Sequence, residues 1–72
     1  MDTRIITVKG MHCNSCISLI RMELEEKGFG DKIVDIRLLE DMKGEVELEN
    51  ATLEDVVEVK KVINELESYQ AI

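Results

Sequence analysis

Proline and tryptophan are absent from the 72 residues, and phenylalanine and tyrosine occur once each. With so little aromatic surface, Val, Ile and Leu must supply the core. No apolar run is longer than a few residues, which excludes a membrane-spanning helix of about 20. The start, Met-Asp-Thr-Arg-Ile-Ile, lacks the basic region and the long apolar stretch of a signal peptide, so a cytoplasmic protein is expected. Basic residues are scarce: nine Lys and Arg stand against 16 Asp and Glu, a net charge of −7. Such a balance speaks against nucleic acid, whose phosphates require Lys and Arg, and against an anionic membrane surface. Only two cysteines occur, Cys13 and Cys16, too few for a framework of several disulfides.

What is present describes one folded domain spanning residues 1–72. The chain is 44% apolar and 35% charged, globular rather than disordered. Residues 3–9 are β-branched and partly alternating, with Ile6 and Val8 on one face, and read as a strand ending at Gly10. From Asn14 or Ser15 to Lys27 the spacing turns helical through Ile17, Ile20 and Leu24, with Gly28 as the stop. Residues 32–40 form a second expected strand, with Val34, Ile36 and Leu38 on one face. A turn at Asp41-Met42-Lys43-Gly44 leads into Glu45-Val46-Glu47-Leu48-Glu49, which alternates strictly. Thr52 is the expected cap of a second helix, whose stripe is Leu53, Val56, Val59, Ile63 and Leu66. Residues 68–72 are an expected edge strand. The order β-α-β-β-α-β is that of an α+β, ferredoxin-like βαββαβ sandwich: a four-stranded antiparallel sheet with two helices on one face. Glu45, Glu47 and Glu49 then lie on the open face, which accounts for part of the acidity.

The two thiols fall between the first strand and the first helix, where unpaired N–H groups and the helix dipole favour thiolate. Three chemistries suit a CxxC at that place. In a redox dithiol, the thioredoxin-like use relies on a cis-proline opposite the sulfurs, and this chain has no proline. Closed tetrahedral zinc needs four ligands and an iron–sulfur cluster four cysteines, whereas Cys13, Cys16 and His12 are the whole local supply. A soft monovalent ion is the third. Cu(I) prefers sulfur, tolerates low coordination, and held by two thiolates leaves room for an incoming ligand.

Gly10-Met11-His12-Cys13-Asn14-Ser15-Cys16 resembles the GMxCxxC signature of heavy-metal-associated domains, the soluble copper chaperones and the N-terminal modules of copper-transporting P-type ATPases. The similarity runs over essentially the whole chain, from the first strand to a terminal segment containing Tyr69. It implies the ferredoxin-like fold, with Cu(I) held by Cys13 and Cys16. It implies a carrier and not an enzyme. The expected partner is a copper-transporting P-type ATPase or another copper-handling protein, and a homodimer bridged by a shared metal is possible because two chains offer four sulfurs. A free chaperone and a module of a larger ATPase both fit. The alternatives are a carrier of a divalent or mercuric ion on the same fold, and a small thiol-redox protein.

Around the motif, Met11 resembles the family methionine that tucks beneath the metal loop, and a core role as a gap filler is expected of it. Gly10 is expected to let the chain bend out of its strand. His12 fills the variable position of the signature, where an imidazole adds a ligand or simply faces solvent. Tyr69 is similar in place to a tyrosine near the copper loop of bacterial members, with Ser68 where a glycine is usual. Leu19 and Met22 fall off the helix's apolar stripe and are expected to face outward as a docking patch beside the loop. Neither sulfur is expected to matter to the fold, so serine at both positions should leave it intact.

Overall fold

A computed structural model describes residues 3–12, 14–66 and 68–72. Among them the elements are β1 (Thr3–Lys9), α1 (Asn14–Glu26), a single 3-10 turn (Gly30–Lys32), β2 (Ile33–Leu38), β3 (Lys43–Glu49), α2 (Leu53–Glu65) and a two-residue β4 (Gln70–Ala71). The sheet order is β2-β3-β1-β4, with every neighbouring pair antiparallel. This is the α+β, ferredoxin-like βαββαβ arrangement. Ile6 and Val8 of β1, Ile36 of β2, and Val46 and Leu48 of β3 share one buried cluster with residues of both helices. Both helices therefore cover the same sheet face. None of the described helices is long and apolar enough to cross a membrane.

Local chemistry sets the helix ends. Past α1, Gly28 turns to φ 90°, its N–H bonds to the Glu25 carbonyl, and the Phe29 N–H reaches back to Leu24. These are the two bonds of a Schellman motif, and they satisfy carbonyls left over at the helix end. Phe29 packs against the cluster that contains Leu24, adding the apolar contact the motif favours. At α2, Thr52 Oγ1 accepts from the Asp55 N–H at 3.1 Å, and the Asp55 carboxylate accepts from the Thr52 N–H at 3.0 Å. This capping box fixes the start of the helix. Ala51 just before the cap is buried, and Val56 packs on the same core.

Several sequence expectations need correction. Val34 does not share a face with Ile36, because a bulge lies between Ile33 and Asp35. Ile33 pairs with Leu48 and Ile36 with Val46, so the extra residue, Val34, is turned out to solvent. The inner stripe of α1 is Cys16, Ile20 and Leu24, with Ile17 only partly buried. In α2, Leu53 opens the helix and is exposed, whereas Val62 is buried beside Val59 and Ile63. The strand expected over residues 32–40 is shorter at both ends, and β3 starts earlier than expected, at Lys43. The tight turn consequently centres on Asp41 and Met42, both at positive φ (62° and 60°), with the Lys43 N–H bonded to the Glu40 carbonyl at 3.3 Å. Positive φ at both central residues matches the twist of a two-residue hairpin.

The open face carries the acid. Arg37 Nη1 donates to Glu47 at 2.7 Å and Asp35 at 3.2 Å, while Nη2 donates to Glu45 at 3.2 Å. The bonds to Glu47 and Glu45 raise the guanidinium pKa further and keep it charged. One cation thus draws together three carboxylates that would otherwise repel along neighbouring strands.

Candidate metal centre

The candidate centre begins where β1 stops. Gly10 has φ 95°, a left-handed conformation costly for residues with a Cβ. Its N–H donates to the Met42 carbonyl at 2.7 Å. A Cβ built on Gly10 would run into the Ser68 carbonyl oxygen and lie 3.5 Å from Tyr69 Cα. The chain therefore leaves its strand between two backbone neighbours, the hairpin tip on one side and the approach to β4 on the other. The expected bend at Gly10 is present.

Met11 is fully buried. Its thioether lies over Gly44 of β3: a Cβ there would overlap Met11 Sδ, stand 2.9 Å from Cε, and lie 2.8 Å from the Arg37 carbonyl oxygen. Met11 therefore fills the core beneath the loop, as expected. His12 is exposed, with Nδ1 3.2 Å from the Gly10 carbonyl oxygen. A carbonyl can only accept, so Nδ1 carries the proton of this bond, and in the neutral ring the lone pair belongs to Nε2.

Cys13, the first expected ligand, lies outside the described residues. Cys16, the second, is the third residue of α1 and is only 4% exposed. Residues four apart on a helix stack on one face, so Cys16 lies in line with Ile20 and Leu24, within the core cluster. The expectation that neither sulfur matters to packing is corrected for Cys16. Its place in the first helical turn keeps it among the N–H groups that lack helical partners. No acidic residue occupies that turn, so no carboxylate competes with an anionic sulfur for the positive end of the dipole.

Tyr69 is buried in the same cluster, and its backbone runs beside Gly10, so the terminal segment does reach the motif. Leu19 and Met22 are 37% and 53% exposed, turned outward as expected. Among the described residues, no three His, Cys, Asp or Glu side chains come together as a metal-binding group.

Two residues next to the motif were not singled out by the sequence. Met42 bonds the loop through its carbonyl, a backbone role that its side chain does not signal. Gly44 reads in the sequence as part of a turn, although a glycine ahead of an alternating strand can also mark a close approach of another group. No protein-family model, no curated protein and no solved structure matches the chain.

Proposed function

We propose that this protein is a carrier of Cu(I), which it binds through Cys13 and Cys16 and hands to a partner by exchange of thiolate ligands. The observation that carries the reading is the position of Cys16. It stands in the first turn of α1, in a turn without carboxylates, as the last residue of the segment 10–16 whose sequence resembles GMxCxxC. Sulfur is the ligand type that Cu(I) selects. An ion held by two thiolates keeps an open flank. A partner's thiolate adds to the copper there, one of this chain's sulfurs then leaves and takes up a proton, and a second exchange completes the transfer. Copper stays Cu(I) throughout, so neither oxidant nor reductant is consumed.

The proposed partners are a copper-transporting P-type ATPase or another copper-handling protein, and a second copy of this chain can share the metal when no acceptor is present. Competition between metals tests the reading. The reduced protein is titrated with Cu(I) against a chromogenic Cu(I) chelator, and separately with Zn(II) against a zinc chelator. Retention of Cu(I) and loss of Zn(II) is the expected result. Retention of Zn(II) or Hg(II) with surrender of Cu(I) assigns the protein to the divalent or mercuric carriers instead.

A further inference from the structure

Gly44 lies on the inner face of the sheet, paired with Val8 of β1 and Leu38 of β2. The next inner positions of β3, Val46 and Leu48, bear branched side chains and are fully buried. Gly44 leaves a notch in that row, and the Met11 thioether fills it: a Cβ at 44 would overlap Met11 Sδ and come within 2.9 Å of Cε. Met11 has no exposed surface, so its flexible thioether can give way to a methyl group only by pushing on close-packed neighbours or on its own backbone. The covalent route for that pressure is the backbone of residue 11, two positions before Cys13 and on the path from β1 to α1.

We propose that Gly44 is a positioning residue for the metal loop: it touches no ligand, and it sets the height of the loop through Met11. The metal readout of this proposal rests on the Cu(I) reading; the loop-position readout does not.

The same Cβ would also lie 2.8 Å from the Arg37 carbonyl oxygen, and this second overlap gives the experiment its resolving power. The variants are Gly44→Ala, Met11→Val and the double variant Gly44→Ala/Met11→Val. Three quantities are measured on each: Cu(I) affinity by chelator competition, the rate at which iodoacetamide alkylates the thiols of the metal-free protein, and the urea midpoint. Hydrogen-bonding partners that orient metal ligands are typically worth about 10–100-fold in affinity. Gly44 acts one contact further back, so Gly44→Ala is expected to weaken Cu(I) binding by no more than about tenfold, the lower end of that range, and to change the alkylation rate. Valine lacks Sδ and Cε, so the double variant lets the new methyl group occupy the notch. It is expected to recover most of the affinity and the native alkylation rate, while its urea midpoint stays low because the Arg37 carbonyl overlap remains.

A Gly44→Ala protein with a lowered midpoint but native affinity and alkylation rate overturns the proposal, as does a double variant no better than Gly44→Ala. If the unaltered protein holds no Cu(I), the copper reading fails, and the alkylation rates alone decide the role of Gly44. If Gly44→Ala does not fold, Met11→Val empties the notch without crowding the strand, and an unchanged alkylation rate in that variant is the contradicting result.

Discussion

The Gly10 amide donates to the Met42 carbonyl over 2.7 Å, tying the loop that leads to the cysteines to the tip of the β2–β3 hairpin. The tip bears the conformational cost of this arrangement. Asp41 and Met42 both hold positive φ, and a left-handed residue with a Cβ costs roughly 1–2 kcal/mol. Asn-Gly is the pair best suited to such a turn. The double substitution Asp41→Asn/Met42→Gly is therefore expected to stabilise the protein by about 1 kcal/mol, seen as a higher urea midpoint at constant slope. Gly10→Ala combines a positive φ with the Ser68 overlap and is expected to cost at least about 2 kcal/mol. A hairpin variant that loses stability would show that the turn is not strained.

Cys16 links the site to the core. It is buried in line with Ile20 and Leu24, and burying a hydroxyl in place of a thiol costs about 1–2 kcal/mol. Cys16→Ser is expected to destabilise the metal-free protein by that amount, read as a lower urea midpoint at constant slope, with the fold retained by circular dichroism. An unchanged midpoint would mean that the sulfur makes no packing contribution.

The parts of the fold that follow from periodicity were readable in the sequence. Strict alternation over Glu45-Val46-Glu47-Leu48-Glu49 placed the acids on the open face, and Thr52 and Gly28 marked helix ends through their own side chain or lack of one. The bulge at Val34 was not readable, because Val34, Ile36 and Leu38 alternate without a break and the extra residue shows only in the pairing with Glu47. In the candidate site, the spacing of the two thiols is what the sequence makes visible, and Cys13 lies outside the described residues. The burial of Cys16 is latent in its four-residue spacing to Ile20, but a thiol in a CxxC carries no separate sign that it also packs in the core. The pairing of Gly44 with Met11 joins positions 33 residues apart, and no local pattern connects them.

Asp55 should show itself through pH. Its carboxylate accepts from the Thr52 amide and lies 3.3 Å from Lys32 Nζ. The Thr52 bond foremost, and Lys32 after it, hold the pKa below the ordinary 3.8. A depressed folded-state pKa contributes stability that is complete above the unfolded value and disappears as pH falls through the folded one. The stability difference between the unaltered protein and Asp55→Asn is thus expected to be constant from neutral pH down to about 5 and to shrink below 3.8. A difference that persists unchanged at pH 2 would contradict this.

Leu19 and Met22 project from the helix whose first turn holds Cys16, and both are substantially exposed. If the partner docks over this flank, Leu19→Glu slows Cu(I) transfer to the metal-binding domain of a copper-transporting ATPase severalfold and leaves the affinity for Cu(I) unaltered. Stopped-flow transfer rates measured beside chelator-derived affinities check both halves. Equal rates in the two proteins would remove Leu19 from the docking surface.

The proposed function is tested most directly by metal analysis of protein purified without oxygen and incubated with excess Cu(I), then passed over a desalting column. One copper per chain is expected, or one per two chains where the metal is shared, with none retained by the Cys13→Ser/Cys16→Ser variant, whose folded state is verified in the same sample. Copper retained equally by that variant, or absent from the unaltered protein, would contradict a carrier built on these two thiolates.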